Sequence, residues 1–389
     1  MQFLTAGESH GEALSCIISD YPSGVSVDIA FINNELSRRQ KGFGRGSRMS
    51  IEKDNVKILS GVQKGKSTGS PVSFLIYNHD WQNWKDKVEK EGNLLNPRPG
   101  HADLSGILKY RLESIREVIE RSSARETAAR TAAGAFAKLI LTSLDIFIIS
   151  YVNRIGDIKL TRKVNIGNRF NPNVNPEDRT LVEKIEDSNL RCPNDKISSL
   201  MSDLIKKASS QGDTLGGAFR LIATGIVPGL GSYIQWDRRI DSKIAASLFS
   251  IPSVKAVGFG KILSSKNLRG TGYHDEIFYN KRSGFYRKSN NAGGIEGGMT
   301  NGEAIDIEVF LKPIPTTKTG LKTVNIKTKE KTISLKERAD VCAVPSAAVI
   351  GEAVLAVELL NAIQEKFGKD NIEEIKENLK NYKGYLNSI

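Results

Sequence analysis

The sequence predicts an α+β fold in which sheets are layered on helices. Short strand-like runs of apolar residues come first, bounded by glycine, proline and serine, at residues 13–18, 56–62 and 72–77. Helical spacing of apolar residues begins near residue 104, and strand patterns return after residue 216. Strands and helices thus follow one another without the regular alternation of a parallel βαβ sheet. Since no repeat or linker divides the 389 residues, we treat them as one domain.

Three segments organise the first third of the chain. The spacing predicts a helix over residues 29–39, which delivers a basic loop. Residues 79–97 are polar and are predicted to form an irregular connection. Residues 103–119 carry apolar side chains at helical spacing and are predicted to be helical.

A new helix is predicted to begin at a capping box. Ser123 and Glu126 have the required spacing, and an alanine-rich run continues to Leu141. The first turn of such a helix exposes free N–H groups and the positive end of the helix dipole, next to Arg121 and Arg125. This combination favours an anion-binding site over an ordinary capped helix whose arginines point to water.

The second half contains one excursion and one strongly apolar helix. Residues 160–200 are rich in Asn, Asp, Lys and Pro and are predicted to be a surface excursion. Residues 347–363 are apolar nearly all round, which predicts a helix buried in the core or against a partner chain, and 366–389 form a C-terminal tail. The other predicted helices and strands lie at residues 196–209, 242–249, 216–227, 254–259 and 305–311.

A long glycine-rich loop is predicted at residues 280–302. Four glycines fall within six residues, at Gly293, Gly294, Gly297 and Gly298. Such a run is neither helix nor ordinary strand, so it suits backbone that wraps against a flat ligand, or a flexible surface loop.

Composition points to a reduced, water-soluble protein. Apolar residues make up 39% and charged residues 26% of the chain, which is ordinary for a globular protein. The three cysteines are scattered and odd in number, which argues against a disulfide framework. Neither a signal peptide nor an apolar run long enough to span a membrane is evident, so we expect a cytoplasmic protein that is not membrane-bound.

The net charge of +12 includes one concentrated basic block. Between residues 38 and 48 there are five cations and no acid, interleaved with three glycines: Arg38, Arg39, Lys41, Arg45 and Arg48. Guanidinium groups match phosphate and carboxylate in bidentate fashion. On charge alone, a small anionic ligand, a nucleic acid and a solvated face are equally good explanations.

Two of the four histidines lie on glycine-flanked turns. His10 stands between Gly7 and Gly11, and His101 follows Gly100. Histidine exchanges protons near the pH of the cell, and glycine lets the backbone approach a ligand closely. The pair indicates proton transfer on a bound small molecule, whereas His79 and His274 lie in polar stretches and are predicted to be surface residues.

Several common motifs are incomplete or missing. Residues 61–67 approach a P-loop but have three residues between the glycines where four are needed, and a strand is predicted to follow. The sequence also lacks a dinucleotide-binding GxGxxG, a GxSxG nucleophile elbow and a metal-spaced cluster, so we expect no metal ion.

Taken together, the blocks that carry these residues resemble the chorismate synthase family. The resemblance runs in order from residue 3 to about residue 365, with only 160–200 and the tail uninformative. Its most specific blocks are Gly7-Glu8-Ser9-His10-Gly11, Arg45-Gly46-Ser47-Arg48, Arg98-Pro99-Gly100-His101-Ala102-Asp103, Arg121-Ser122-Ser123-Ala124-Arg125-Glu126, Gly212-Asp213-Thr214-Leu215-Gly216-Gly217, Gly293-Gly294-Ile295-Glu296-Gly297-Gly298 and Arg338-Ala339-Asp340.

The resemblance implies a lyase of the shikimate pathway, the source of the aromatic amino acids. It would convert 5-enolpyruvylshikimate 3-phosphate to chorismate by trans-1,4-elimination of phosphate and a ring proton, using reduced FMN without net redox change. It also implies a homotetramer of β-α-β sandwich subunits with mostly antiparallel sheets around central helices.

Catalytic roles follow from the resemblance. His10 would donate a proton or hydrogen bond to the leaving phosphate, His101 would face the flavin, and Asp340 would act at the flavin N5. The arginines implied to bind the anionic substrate, or NADPH, are Arg39, Arg45, Arg48 and Arg125.

The flavin contacts implied by the resemblance come from five places: Arg121, Ser122 and Ser123; Pro252 and Ser253; Gly297; Lys312, Pro313, Ile314, Pro315 and Thr316; and Arg338. Many members have Asn-Ala where this chain has Pro252-Ser253, and proline provides neither an N–H nor an amide side chain.

Two alternatives stay open. The charge is compatible with a basic RNA-associated protein, although aromatic residues for base stacking are sparse. The other alternative is a different enolpyruvyl-phosphate enzyme, such as a transferase. For the lyase, the sequence favours an external flavin reductase, with NADPH as a possible source of electrons.

Overall fold

The computed structural model describes residues 1–45, 52–90, 92–161, 164, 166–168, 170–265, 269–281, 284–336 and 340–389. Within these ranges the helices are α1 Ile29–Gln40, α2 Trp81–Lys90, α3 Asp103–Tyr110, α4 Ile115–Ser122, α5 Thr127–Ser143, α6 Pro176–Asp187, α7 Asp195–Ser210, α8 Ile240–Phe249, α9 Gly270–Tyr273, α10 Val344–Phe367 and α11 Ile372–Ser388. Short 3-10 turns lie at Ala124–Glu126 and Trp236–Arg238.

The strands of the described chain are β1 Gln2–Ala6, β2 Ala13–Ser19, β3 Val56–Ser60, β4 Val62–Gln63, β5 Lys66–Ser67, β6 Val72–Tyr77, β7 Phe147–Ile155, β8 Ile158–Lys159, β9 Gly217–Thr224, β10 Val254–Phe259, β11 Ile277–Asn280, β12 Gly284–Arg287, β13 Ile295–Glu296, β14 Met299–Thr300, β15 Ile305–Leu311, β16 Lys322–Val324 and β17 Lys331–Ile333. Strands β6, β10 and β15 begin and end at the predicted residues.

Two antiparallel sheets hold most of these strands. The first has the order β1-β2-β6-β3 and the second the order β10-β15-β9-β7-β8. The remaining strands form two-stranded hairpins. The fold is therefore α+β with antiparallel sheets, as the sequence predicts.

Helices α5 and α10 pack against each other and against the sheets, α5 on β1, β2 and β7, and α10 on β7 and β9. Small residues allow this close approach: a Cβ on Gly134 of α5 would lie 2.4 Å from Cα of Ala353 in α10. On the sheet side, Phe136 of α5 stacks on Phe74 of β6, with ring centroids 5.8 Å apart. Close packing of this kind explains the alanine-rich sequence of α5.

Helix α10 is long and apolar enough to cross a membrane, but 89% of its apolar window is buried inside the protein. It also carries a fully buried carboxylate, Glu352, which pairs with Arg38, Lys138 and Arg191. Burial opposes ionisation, yet these three cations outweigh it and lower the pKa of Glu352. The helix is thus a core element, fixed by a buried ion network.

Three segments differ from prediction. The predicted loop at residues 280–302 contains β12 and the short hairpin of β13 and β14, because its glycines form turns between paired strands. Residues 79–97 are not irregular throughout: α2 forms where Asp80 accepts hydrogen bonds from Trp84 Nε1 at 3.0 Å and Asn83 Nδ2 at 2.9 Å. Most of its residues are polar or charged, and for this reason the sequence predicts an irregular connection here. Residues 103–119 contribute to two helices rather than one, because Arg111 takes a left-handed conformation with φ 53°.

The excursion and the tail both contain helices with buried faces. Ile185 of α6 is fully buried, as are Leu190 and Cys192 just after it. In α11, Ile372, Ile375 and Leu379 pack into the main core. All three cysteines are free and buried, and burial raises the pKa of Cys16 and of Cys342 to about 12, so these thiols are unreactive.

Candidate active site

His10 lies in the turn between β1 and β2 and is held by a carboxylate of α4. Its Nδ1 is 2.8 Å from Glu120 Oε1, and its backbone N–H donates to Glu120 Oε2 at 2.7 Å. The neighbouring Ser9 N–H donates to the Glu120 carbonyl at 3.0 Å. One acidic residue therefore fixes both the turn and the imidazole ring.

The surroundings of Glu120 favour its ionised form. Burial by itself raises its pKa, but the hydrogen bonds from His10 and the charge of Arg116 outweigh burial and lower the pKa of Glu120. The indole of Trp84 covers one side of the pair, with its ring centroid 4.0 Å from that of His10. Arg116 lies against the same indole at 5.6 Å.

The predicted capping box forms only in part. Ser123 accepts the Arg125 N–H at 3.3 Å and caps the 3-10 turn Ala124–Glu126, after which α5 begins at Thr127. Glu126 does not return the bond, because the Ser123 N–H donates to Ile119 O and the Glu126 carboxylate pairs with Arg130. The helix therefore starts close to the predicted position, with Ser123 as its cap.

The predicted flavin residues at this helix start contact the turn that holds His10. Arg121 donates to the Thr5 carbonyl at 2.8 Å and to the Gly7 carbonyl at 3.3 Å. The Ser9 hydroxyl donates to the Ser123 hydroxyl at 3.0 Å, whereas the Ser122 hydroxyl donates to Val118 O within α4. Arg121 and Ser123 are thus joined to the His10 turn, and Ser122 faces its own helix.

Two of the predicted anion-binding arginines share one buried carboxylate. Asp54 accepts Arg125 Nη1 at 2.6 Å and Arg39 Nη2 at 2.9 Å through its two oxygens. Despite burial, the two cations lower the pKa of Asp54. Burial, only partly offset by Asp54, lowers the pKa of Arg39 to about 10, and the nearby charges of Arg125 and Arg45 act in the same direction.

Asn78 joins this arginine pair to the His10 turn. Its Oδ1 accepts from Arg125 Nε at 2.7 Å, and its Nδ2 donates to the carbonyls of Glu8 and Gly11 at 3.1 and 2.6 Å. The turn that carries His10 is therefore joined to Arg125 and, through Asp54, to Arg39.

Arg45 and Asp340 form an ion pair at 3.2 Å. Backbone bonding brings them together, since the Val341 N–H donates to the Gly44 carbonyl at 2.7 Å. Arg48 and Arg338 lie outside the described residues. Within the described part of the basic block, the side chains of Arg38, Arg39 and Arg45 are at most 11% exposed, so they do not form the open basic surface that a nucleic acid would need.

His101, like His10, pairs with a carboxylate, here that of Asp103 in α3. Its Nδ1 is 2.5 Å from Asp103 Oδ1. Arg98 donates to both oxygens of Asp103, with Nε at 2.9 Å and Nη2 at 3.0 Å, and its Nη2 lies 3.1 Å from His101 Nδ1. Burial opposes ionisation, but the hydrogen bonds from His101 and Arg98 lower the pKa of Asp103.

The predicted flavin segment at residues 312–316 lies against the His101 turn. Arg98 Nη1 donates to the Thr316 hydroxyl at 2.9 Å, and Lys312 Nζ donates to the Gly100 carbonyl. The Lys312 N–H donates to the Ser253 carbonyl at 2.9 Å, which brings the divergent Pro252-Ser253 pair to the same segment.

The glycine loop has two kinds of position. A Cβ on Gly293 would lie 2.3 Å from Gly260 N, and one on Gly298 would lie 2.6 Å from Arg239 Cγ, so both are packed by the protein itself. Gly297 has φ 59° and open space on its Cβ side. Among Gly293, Gly297 and Gly298, therefore, only Gly297 has room for a ligand against its backbone, as the sequence predicts for this loop.

No local sequence signal marks the residues that hold the predicted ones in place, namely Glu120, Asp54, Asn78 and Trp84. Glu120 immediately precedes the recognised Arg121 block, but nothing local links it to His10, 110 positions away. His79 and His274 are exposed, in line with prediction. In the described ranges no group of three or more His, Cys, Asp or Glu could hold a metal ion.

Comparison with known proteins gives a single answer. A family model described as chorismate synthase matches residues 1–364. The chain is 45% identical to a chorismate synthase of Alkaliphilus metalliredigens, covering 98% of this chain and 99% of that protein. It is 46% identical to one from Aquifex aeolicus, covering 100% and 99%. A solved structure titled "Crystal Structure of Chorismate Synthase" superposes with a TM-score of 0.80 at 38% identity, covering 100% of this chain and 98% of that one.

Proposed function

Because this chain belongs to the chorismate synthase family and is a lyase that converts 5-enolpyruvylshikimate 3-phosphate to chorismate in the shikimate pathway, we propose that it works by trans-1,4-elimination of phosphate and a ring proton with reduced FMN. The observation that carries this proposal is the polar network that joins the turn carrying His10, through Asn78, to Arg125 and, through Asp54, to Arg39. A proton donor and phosphate-binding cations are what departure of phosphate requires.

His10 serves the leaving group. As the ring C–O bond breaks, its electron pair stays on the phosphate oxygen, and His10 transfers a proton to the departing phosphate. The ionised Glu120 stabilises the positive charge on the ring before the transfer.

The anionic substrate is bound by Arg39, Arg45 and Arg125, with Arg48 as a further candidate. Support comes from Arg39 Nε, which is buried and has no hydrogen-bond partner among the described residues. A buried donor left without an acceptor costs about 1–3 kcal/mol, so an incoming phosphate or carboxylate oxygen gains from filling this position.

FMN is held by Arg121, Ser122 and Ser123, by Pro252 and Ser253, by Gly297, and by Lys312, Pro313, Ile314, Pro315 and Thr316, with Arg338 as a further candidate. Two observations fit a flat ligand here: the open side of Gly297 and the buried Thr317 hydroxyl, which lacks a partner in the described chain. When bound, the reduced flavin supplies electron density to the substrate ring. His101 would face the flavin, and Asp340, which Arg45 keeps in position, would act at the flavin N5, where the ring proton would be taken up.

The assembly we propose is a cytoplasmic homotetramer of single-domain β-α-β sandwiches with no membrane or nucleic-acid partner. The main core draws residues from both sheets and from α5, α10 and α11, which supports one domain. The outer face of the first sheet supports subunit packing, since Leu4 and its cross-strand neighbour Ile17 are 74% and 50% exposed. Reduced flavin comes from an external reductase, with NADPH as a possible electron source.

The test is an anaerobic assay with FMN, dithionite and substrate, following phosphate release and chorismate absorbance together. Wild-type protein and the surface control His79→Ala should turn over, whereas His10→Ala should not. Flavin binding without chorismate formation by the wild type would contradict the proposed mechanism, and absence of flavin binding would favour a different enolpyruvyl-phosphate chemistry.

A further inference from the structure

We propose that Glu120 is a positioning residue that decides which nitrogen of His10 carries the transferable proton. This inference rests on the proposed role of His10 in the elimination. It goes further by assigning the reactive position to Nε2 and by giving a reason for it in the neighbouring helix.

The two oxygens of Glu120 have different partners on the same residue. Oε2 accepts from the His10 backbone N–H at 2.7 Å, and that group can only donate. Oε1 is 2.8 Å from His10 Nδ1. Because the pKa of Glu120 is lowered, its carboxylate is an acceptor at both positions, so Nδ1 must carry a proton to make the bond.

The ring has little freedom to escape this arrangement. Trp84 covers it at a centroid distance of 4.0 Å, and the Asp80 carboxylate holds the Trp84 indole N–H at 3.0 Å. The backbone of the turn is tied to α4 through Ser9. Flipping the ring would break the Glu120 bond and leave a buried carboxylate oxygen without its donor.

The proton count then follows. When Nδ1–H donates to Glu120, Nε2 of the neutral ring carries no proton, and only the doubly protonated ring has a proton to give from Nε2. Transfer breaks the Nε2–H bond and forms an O–H bond on the leaving phosphate. The product is the neutral ring with Nδ1–H, which is the tautomer that Glu120 already holds.

Glu120→Gln inverts this preference. The amide oxygen of glutamine must face the backbone N–H of His10, which can only donate. The amide NH2 then faces Nδ1, so Nδ1 has to be the acceptor and the neutral ring carries its proton on Nε2. A doubly protonated ring would set N–H against N–H, so the acid form is disfavoured.

The test uses the full-length protein labelled with 15N-histidine and solid-state 15N NMR, which does not depend on molecular size. Only four histidines contribute, and a His10→Asn sample assigns the signals of His10. At about pH 8.5, roughly two units above the ordinary imidazole value, the wild type and Glu117→Gln should show Nδ1–H, and Glu120→Gln should show Nε2–H. Glu117 is the matched control because it lies exposed on the same helix.

Kinetics supply the second readout. Glu120→Gln should lower kcat about 10²- to 10⁴-fold, as expected for a general acid in the wrong tautomer, with the KM for substrate within about threefold of wild type. Glu120→Asp retains the carboxylate and should keep the wild-type tautomer and recover at least tenfold over Glu120→Gln.

Each result decides the matter. An Nε2–H tautomer in wild-type protein overturns the proposal even if every variant misfolds. An unchanged tautomer in folded Glu120→Gln, or an inverted tautomer with kcat equal to that of Glu117→Gln, also overturns it. Because the NMR arm needs no turnover, a wild type that shows Nδ1–H but forms no chorismate would refute the proposed function while leaving the Glu120 assignment intact.

Discussion

The site has two histidine–carboxylate pairs, His10 with Glu120 (the His10 centre) and His101 with Asp103 (the His101 centre), and they differ in the groups that surround the carboxylate. In both, imidazole Nδ1 meets a buried carboxylate from one of two packed consecutive helices, Glu120 of α4 and Asp103 of α3. At His101, Arg98 makes hydrogen bonds to both oxygens of the carboxylate. At His10, Arg116 of the same helix is 3.6 Å from the carboxylate, and a neutral indole lies on the ring.

The difference indicates how one motif serves two tasks. The Glu120 charge remains available to an imidazolium, which suits proton donation to phosphate. The Asp103 charge is already balanced by Arg98, so His101 is held in position beside a cation, and this arrangement suits a contact to the flavin.

The largest effect should come from removing each ring in turn. His10→Ala should lower kcat about 10²- to 10⁴-fold, because general acid catalysis contributes that much, while FMN affinity stays close to wild type. His101→Ala should instead weaken FMN binding. Flavin titration by fluorescence measures the effect on FMN affinity, and single-turnover phosphate release measures the effect on kcat. Equal losses of flavin affinity in His10→Ala and His101→Ala would contradict the proposed difference between the two centres.

Asp103→Asn should destabilise the fold more than Glu120→Gln. It leaves the Arg98 guanidinium buried without its carboxylate, which costs about 3–5 kcal/mol in comparable pairs. Glu120→Gln should cost about 1–3 kcal/mol, since one acceptor remains. Urea unfolding in the absence of ligand measures the free energy of unfolding of both variants. A larger decrease for Glu120→Gln would contradict the inference that Asp103 neutralises a buried arginine and Glu120 does not.

Acid should weaken both centres in the same direction. The pKa values of Asp103 and Glu120 are lowered in the folded protein, so each contributes stability above the unfolded value of about 4, and that contribution is lost as the pH falls through the depressed folded value. The free energy of unfolding should therefore decline below about pH 4. Asp103→Asn should flatten this decline, and an unchanged slope would indicate that other carboxylates dominate.

The smallest effect concerns the indole that distinguishes the His10 centre. Trp84→Ala should lower kcat about 2- to 10-fold, as an aromatic contact of about 0.5–1.5 kcal/mol is lost, and Trp84→Phe should retain most activity. Steady-state kinetics at saturating FMN measure this. Equal activity of Trp84→Ala and wild type would show that the indole does not hold the ring.

Local patterns explain which parts of this molecule were predictable. Strand β15 alternates at period two and α10 is apolar on all sides, so both could be read from the chain. Helix α2 is not predicted because its residues are mostly polar. The break between α3 and α4 is not predicted because Arg111, not a glycine, takes the left-handed conformation there.

The site divides in the same way. His10 and His101 were found because histidine is rare here and both stand beside glycine. The carboxylates that hold His10 and the arginines have no such local signal. Glu120 has the pattern of an ordinary acidic residue on an amphipathic helix, and Asp54 pairs with Arg125 across 71 positions of sequence. Contacts between residues far apart in the sequence depend on tertiary packing, so they produce no periodic pattern in the local sequence.

A crystal structure with oxidised FMN and substrate bound tests the account most directly. It should place His10 Nε2 about 3 Å from a phosphate oxygen, with the Nδ1–Glu120 bond intact and His101 against the flavin in the same cavity. A complex in which the phosphate lies out of reach of His10, or in which the two rings face separate cavities, would contradict it.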